Sequence, residues 1–349
     1  MALRRKEIRP EKQNATVEIG VFCKMIAIKR RASTGPHGTV HIATVKPGRR
    51  RTLMRIRQDW QLYLFLLPAT IYFFIFAYLP MYGIQVAFRD YSPGRGITGS
   101  PWVGLEHFQR FFTSNQFGTV LLNSLELSLY SLLVCFPLPI IFALMITQMQ
   151  NMKVRKTIQT ITYAPHFISI VVVVGMLNIF LSPRSGIVNT IVTALGGEAH
   201  NFMGDGGWFK HLYVISDVWQ SLGWSSIIYV AALSAVSPEL YEAADLDGAS
   251  RFQKVLHIDL PSVIPTAVIL LIMNCGRIMS QGAEKAYLMQ NAQTASSQEL
   301  IATYVYKMGL INNQYSYSTA IGLFNSLINI VLLVIVNTIS KRLTENSLW

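Results

Sequence analysis

The feature that most constrains this chain is a series of long apolar runs separated by short polar segments. A helix needs about 20 apolar residues to cross the hydrocarbon core of a bilayer. The runs lack the alternation of membrane β-strands and are too long for them, so helices are expected. Six runs qualify, at about 60–87, 119–147, 158–181, 211–236, 262–280 and 318–339. The sequence therefore predicts an all-α membrane protein with six transmembrane helices.

The charge composition agrees with this class and argues against nucleic acid as a partner. Charged residues make up 14% of the chain, against about 25% in soluble domains. The net charge is +12, but half of the thirty Lys and Arg residues lie within residues 1–59. This segment is predicted to be a basic cytoplasmic tail rather than a secretory signal peptide. Its basic part, 48–57, is interpreted either as a topology signal or as a contact for anionic lipid.

The loops between the runs predict the orientation. Segments 1–59, 148–157, 237–261 and 340–349 hold 22 Lys and Arg residues, whereas 88–118, 182–210 and 281–317 hold 7. Because positive charge is retained on the cytoplasmic side, both termini are predicted to be cytoplasmic. The predicted organisation is the tail (1–59), a first span with its outer loop (60–118), a core of five spans (119–340) and a cytoplasmic C-terminus (341–349).

The inner segment 237–261, hereafter the elbow, carries strong local signals. Ser237 can cap a helix that starts at Pro238, and Gly248 can end it. Ser250 can cap a second short helix, which is expected to stop before Pro261. The elbow is therefore predicted to be two short helices joined at Gly248, with small alanine side chains that allow another surface to approach closely.

The elbow contains Glu242-Ala243-Ala244, then Gly248 after three residues, Ile258 after nine more, and Leu260-Pro261 after one more. At every fixed position this pattern resembles the EAA loop of binding-protein-dependent ABC importer permeases. The resemblance implies a coupling helix that sits in a groove of a cytoplasmic ATPase subunit, with Glu242 facing basic or polar groups and Gly248 setting the bend. A generic amphipathic loop helix is the alternative. The residues assigned to ATPase coupling are Glu242, Ala243, Ala244, Asp247, Gly248, Leu260 and Pro261.

The resemblance extends over about 119–340 and implies a set of partners. These are a second permease subunit, two ATPase subunits and an extracytoplasmic solute-binding protein, assembled in the bacterial inner membrane. ATP and Mg²⁺ would be held by the ATPase subunits, since this sequence has no Gly-rich P-loop. The chain itself would be a multi-pass translocation subunit without catalytic residues or a cofactor of its own.

Two further segments resemble one branch of the family. Residues 163–169 and 316–325 are similar to those of permeases that serve oligosaccharides and polysaccharide fragments, including alginate and pectin-fragment importers. The resemblance therefore implies a carbohydrate substrate, which is anionic if the alginate likeness extends to specificity.

Polar residues inside the runs are candidates for the substrate path, because ionisable groups in a membrane are costly. Arg277 could face the cavity and bind sugar hydroxyls or carboxylates. The alternative is that Arg277 and Glu126 pair with each other or with backbone groups to fix helix packing. Asparagines in the spans could likewise either line the cavity or form hydrogen bonds that pack the helices together. The candidates are Arg277, Asn274, Asn178, Glu126 and Asn325, with Asn329 as a further one.

Other classes of function leave weaker signals. An ion-coupled secondary transporter would favour inverted repeats and midplane carboxylates, and only Glu126 is a candidate. A membrane-embedded enzyme would need clustered catalytic residues, which are not evident. No metal-ligand spacing is found, and Cys23, Cys135 and Cys275 are expected to be free thiols. The glycine pattern at 94–99 follows no predicted strand, which argues against a dinucleotide site.

Overall fold

The computed structural model describes residues 31–34, 40–43, 60–280, 282–295 and 297–344. The chain divides into two compact units, Met1–Pro80 and Met81–Trp349, and each is described by itself. The first unit contains strands β1 (Arg31–Thr34) and β2 (Val40–Ala43), which pair antiparallel. This hairpin departs from the all-α prediction. The prediction that 48–57 contacts lipid lies outside the described residues.

All other described elements are helical. The α-helices are α1 (Trp60–Phe73), α2 (Gly96–Gly99), α3 (Glu106–Phe112), α4 (Gln116–Cys135), α5 (Pro137–Thr147), α6 (Met152–Tyr163), α7 (Ile170–Phe180), α8 (Ile187–Ala194), α9 (Gly206–Ser234), α10 (Pro238–Leu246), α11 (Arg251–Lys254), α12 (Leu260–Cys275), α13 (Ala283–Met289), α14 (Ile301–Tyr306) and α15 (Tyr315–Thr344). Short 3₁₀ segments at Leu79–Phe88 and Ala164–Phe167, and π-helical turns at Phe74–Tyr78, Val255–Asp259 and Lys307–Ile311, connect or extend them.

Four helical stretches are long and apolar enough to cross a membrane. They are Trp60–Phe88, Gln116–Thr147, Arg251–Cys275 and Tyr315–Arg342. Two bent pairs, Met152–Phe167 with Ile170–Phe180 and Gly206–Ser234 with Pro238–Leu246, meet the same criteria if each pair is one span. The described part of the chain thus holds four to six candidate spans. The prediction of a helical multi-span protein is confirmed at this level.

The third predicted span, 158–181, is not a straight helix. α6 and α7 meet at 98°. Pro165 lies in the 3₁₀ segment, and extended Ser169 caps α7 by accepting a hydrogen bond from the Val172 N–H at 3.4 Å. The Ile168 carbonyl at the break accepts a hydrogen bond from Gln220 Nε2 of α9 at 2.7 Å. The break is therefore stabilised by contacts that replace those of a continuous helix.

The prediction that the second elbow helix stops before Pro261 is wrong. Arg251–Cys275 is one helical stretch. Proline cannot donate a backbone hydrogen bond, and an α-helix would normally kink there. Here the π-helical turn precedes it, and the Leu260 N–H reaches back to the Val255 carbonyl. The wider turn accommodates Pro261 and lets the helix continue. The fifth predicted span, 262–280, accordingly begins earlier and ends at Cys275.

Three clusters of buried side chains form the core of the second unit. The first joins α4, α7, α9 and α13 around Leu127, Val174, Tyr213, Ala286 and Met289. The second packs α3, α4 and α14 against α15 around Phe111, Val120, Ile301, Tyr304 and Ile321. The third joins α5, α9 and α12 around Ala143, Tyr229, Leu233 and Val263. α9 contributes to two of them and is the central helix of the unit.

The contact between α6 and α9 depends on a glycine. A Cβ atom at Gly223 would lie 2.3 Å from the Thr162 carbonyl oxygen and 2.8 Å from the Tyr163 ring. No side chain larger than hydrogen fits at this backbone-to-backbone approach, so Gly223 sets the distance between the two helices.

Candidate functional site: the elbow and the serine-lined cavity

The first arm of the elbow, α10, has caps at both ends. The Ser237 hydroxyl accepts a hydrogen bond from the Glu239 N–H at 3.3 Å. At the other end Gly248 has a φ of +70°, and the Ala249 N–H donates to the Ala244 carbonyl at 2.8 Å. This is a Schellman ending, in which the left-handed residue is glycine because it has no Cβ to strain. The predicted cap and break are thus present.

The second arm starts with a capping box. The Ser250 N–H donates to Gln253 Oε1 at 2.7 Å, and the Gln253 N–H donates to the Ser250 hydroxyl at 3.3 Å. The Lys254 ammonium pairs with the Asp245 carboxylate across the bend. The pair joins the two arms, but the carboxylate is largely exposed, so its contribution to stability is small.

The elbow presents an exposed surface. Glu242, Ala243, Asp247, Gly248 and Pro261 are exposed, whereas Ala244 and Leu260 are partly buried.

Two large apolar side chains flank the bend: Leu246 is 91% exposed and Phe252 is 74% exposed. Neither was predicted to be functional, although apolar residues on either side of a predicted glycine bend are a readable signal. Both side chains therefore offer apolar surface next to the bend.

A cavity of about 350 Å³ lies between α4, α9 and the segment after α12. Its polar lining consists of hydroxyl, amide, phenol and carboxylate groups from Ser124, Ser128, Ser131, Ser221, Ser225, Asn274, Tyr213 and Asp217. A second cavity of about 270 Å³ shares Ser225 and Asn274 with the first and adds Trp224. Hydroxyl and amide groups can exchange hydrogen bonds with sugar hydroxyls, and an aromatic face can pack on a sugar ring.

Of the predicted path residues, Asn274 lines both cavities. Arg277 is exposed in the turn just beyond α12 and does not line them. Glu126 pairs with Lys210 of α9 rather than with Arg277. Asn178 donates to the Val174 carbonyl of its own helix at 3.1 Å.

Two of the predicted residues stabilise the turn after α12. Asn325 Nδ2 donates to the Ser280 hydroxyl at 3.0 Å, and Asn329 Nδ2 donates to the same oxygen at 2.9 Å. Asn329 Oδ1 also accepts from the Met279 N–H at 3.1 Å. Both side chains therefore contribute to interhelical packing.

A buried lysine near the cavity was also missed. Lys285 is 2% exposed; its Nζ donates to the Tyr213 carbonyl at 2.9 Å and lies 3.4 Å from Asp217 Oδ1. Burial lowers the pKa of Lys285, and the Asp217 carboxylate opposes this shift. In the sequence Lys285 counts only as a loop charge, and its partner on a distant helix leaves no local signal.

Comparison with known proteins assigns the family. The family described as "Binding-protein-dependent transport system inner membrane component" matches residues 136–345. The chain belongs to this family. Residues 237–261 lie within the matched segment, and the EAA motif with its coupling helix is typical of the family.

This permease is also similar to individual family members. It is 42% identical to the polygalacturonan/rhamnogalacturonan transport system permease protein YteP of Bacillus subtilis (strain 168). The alignment has 304 residues and covers 87% of this chain and 95% of YteP. It is 28% identical over 285 residues to the arabinooligosaccharides transport system permease protein AraP of the same organism, and this alignment covers 81% of this chain and 88% of AraP.

Solved structures agree. A crystal structure of a bacterial ABC transporter involved in the import of the acidic polysaccharide alginate matches with a TM-score of 0.78 at 40% identity, covering 84% of this chain and 99% of that chain. A second structure, of the bacterial alginate ABC transporter in complex with alginate pentasaccharide-bound periplasmic protein, matches with a TM-score of 0.79 at 40% identity, covering 85% and 100%.

The family resolves several sequence-based predictions. The protein is a permease subunit of an ABC importer; ATP hydrolysis belongs to partner subunits, and this chain translocates without catalysis. The predicted resemblance to the branch with alginate and pectin-fragment importers is confirmed. The alternative of an ion-coupled secondary transporter has no support. As the family description states, the protein is an inner membrane component that depends on a binding protein.

Proposed function

We propose that this permease imports acidic oligosaccharides or polysaccharide fragments. The observation that carries the proposal is its 40–42% identity, over more than four fifths of the chain, to proteins named for polygalacturonan/rhamnogalacturonan transport and for alginate import. The serine-lined cavity supports it, because its hydroxyl and amide groups suit a polyhydroxylated ligand. Arg277, exposed beyond α12, is a candidate for contact with the carboxylates of such a sugar.

The complete importer would contain a second permease subunit, two ATPase subunits with ATP and Mg²⁺, and a solute-binding protein outside the membrane. With six spans and both termini in the cytoplasm, the elbow would lie on the ATPase side. Glu242, Ala243, Asp247 and Gly248 would contact the ATPase groove, and Leu246 and Phe252 would become buried there. ATPase closure would then move the spans and expose the cavity to each side in turn.

Uptake into vesicles that contain the full importer tests the substrate. The permease, its partner permease and the ATPase subunits are reconstituted with ATP inside and the binding protein outside. Uptake of labelled oligogalacturonate and alginate oligosaccharides is compared with that of neutral arabino-oligosaccharides of equal length. We expect ATP-dependent uptake of the acidic sugars in excess of the neutral ones. Uptake without ATP under an ion gradient, or equal uptake of both classes, would contradict the proposal.

Crosslinking tests the role of the elbow. Leu246→Cys, in a background with Cys23, Cys135 and Cys275 replaced by Ser, should crosslink to an ATPase subunit through a short bifunctional thiol reagent. Leu195→Cys is the matched control, since Leu195 is 83% exposed and lies in a predicted outer loop. We expect an ATPase adduct from Leu246→Cys alone. An adduct from neither variant, or from Leu195→Cys, would reject the proposed contact.

A further inference from the structure

A buried carboxylate lies where the elbow meets the helical bundle. Asp259 is 1% exposed. A buried carboxylate is costly unless its oxygens accept hydrogen bonds. Both oxygens of Asp259 do so: the Tyr241 hydroxyl donates to Oδ1 at 2.5 Å, and Gln148 Nε2 donates to Oδ2 at 2.6 Å. Hydrogen bonds to a charged group are stronger than those between neutral groups.

These three residues, hereafter the clamp, lie on three separate parts of the fold. Tyr241 is on α10, the first arm of the elbow, and Asp259 is on the second arm. Gln148 caps the C-terminal end of α5, which belongs to the stretch Gln116–Thr147. The clamp therefore joins the first arm to two candidate spans through one carboxylate.

Other contacts hold the first arm only weakly. α10 buries no residue. The Lys254–Asp245 pair is exposed on its carboxylate side and links α10 only to the second arm. Besides its chain connections to α9 and α11, α10 is tied to the bundle by the hydrogen bond from the Tyr241 hydroxyl to the buried Asp259 carboxylate.

We infer that the clamp transmits movement of the elbow to the spans, with Asp259 as the positioning residue. A displacement of α10 reaches α5 and α12 together, because Tyr241 and Gln148 share one buried acceptor. Without the clamp α10 is held by its chain connections and by the exposed Lys254–Asp245 pair, so less of its movement reaches the spans for each ATP hydrolysed. The inference rests on the proposed contact between the elbow and an ATPase.

The first test removes a single hydroxyl from the full importer. Tyr241→Phe keeps the ring and deletes the donor to Asp259. Loss of a hydrogen bond to a charged group shifts the equilibrium between attached and released α10 by about tenfold. We therefore expect the sugar moved per ATP hydrolysed to fall, by at most about tenfold, while the amount of assembled complex stays unchanged. Tyr163→Phe is the control, since no described residue accepts a hydrogen bond from its hydroxyl.

A distance measurement separates transmission from a general structural effect. Spin labels at Glu239→Cys and Gln150→Cys, in the cysteine-free background, report the separation between α10 and the end of α5. We expect one narrow distribution with and without ATP in the parent protein and in Tyr163→Phe. In Tyr241→Phe the distribution should broaden. A parent-like transport ratio and a narrow distribution in Tyr241→Phe would overturn the inference, as would an equal loss in both tyrosine variants.

A charge swap covers the case in which Tyr241→Phe fails to assemble. Gln148→Glu places two carboxylates side by side and should abolish coupling. Adding Asp259→Asn removes one charge and restores a donor–acceptor pair, so the double variant should regain at least half of the parent transport ratio. No recovery would overturn the inference.

If the parent importer shows no ATP-driven uptake and no elbow crosslink, the proposed function itself has failed, which is a separate outcome.

Discussion

Replacing Gly223 by alanine tests the closest helix contact in the structure. The added Cβ would lie 2.3 Å from the Thr162 carbonyl oxygen, whereas real Cβ atoms essentially never come within 3.0 Å of another heavy atom. The obstacle is backbone rather than a flexible side chain, so α6 and α9 must separate by about 0.7 Å or the chain must distort, at a cost of about 1–3 kcal/mol. Alanine also favours a helix by about 1 kcal/mol relative to glycine, which offsets part of this cost.

The expected net effect is a loss of about 0–2 kcal/mol relative to the parent, or a decrease in melting temperature of up to roughly 8 °C. The assay is thermal unfolding of the purified importer in detergent, followed by tryptophan fluorescence. Gly175→Ala is the matched control, because Gly175 is in α7 and nothing lies within 4 Å of its added Cβ. This variant should melt at the parent temperature or above it. If Gly223→Ala melts like Gly175→Ala, the inferred α6–α9 contact is incorrect.

Three further predictions concern the elbow, the substrate path and the buried lysine. Gly248→Ala should weaken binding of the ATPase subunit about fivefold in a pull-down, because alanine at the left-handed φ of Gly248 costs about 1 kcal/mol of backbone strain. No atom lies within 4 Å of the new Cβ, so a steric clash adds nothing. Gly248→Asn should lose less, and unchanged binding of Gly248→Ala would argue against the strain. Arg277→Ala should reduce uptake of anionic sugars more than uptake of neutral ones in the vesicle assay, and equal loss would exclude a contact with carboxylates. Lys285→Met should lower the melting temperature by removing the partner of Asp217, and adding Asp217→Asn should restore part of it; no recovery would show that the pair contributes nothing to stability.

The caps of the elbow were predictable because they depend on neighbours in sequence. A serine before a proline, a glycine at the end of a short helix and a second serine each act within a few residues. The structure forms all three, at Ser237, Gly248 and Ser250. The apolar runs were equally readable, since length and composition alone define a candidate span.

The breaks and continuations of the helices were not predictable in the same way. The bend before α7 combines local signals at Pro165 and Ser169 with a contact from Gln220, which is 52 residues away along the chain from Ile168. The continuation through Pro261 depends on a π-helical turn, and sequence periodicity carries no clear signal for such a turn. The pairing of Glu126 with Lys210 likewise joins positions 84 residues apart. The contact from Gln220 and the Glu126–Lys210 pair join residues far apart in the chain, so local preference predicts neither.

The cavity left a signal that sequence analysis did not use. Ser124, Ser128 and Ser131 are spaced four and three residues apart in α4, and Ser221 and Ser225 are spaced four apart in α9. Residues at these spacings share one face of a helix. A serine stripe on two apolar helices predicts a polar surface between them. This polar surface was not predicted; of the proposed path residues, Asn274 lines the cavity.

The helical stretch from Arg251 to Cys275 also sets how far a tilt at the elbow would displace its other end. At 1.5 Å per residue it measures about 36 Å, and a tilt of about 10° would sweep its far end through about 6 Å. Asn274 stands at that far end, in the wall of both cavities. A small tilt at the elbow end would thus be enlarged at the wall of the two cavities, to the extent that the π-helical turn at Val255–Asp259 keeps the stretch straight.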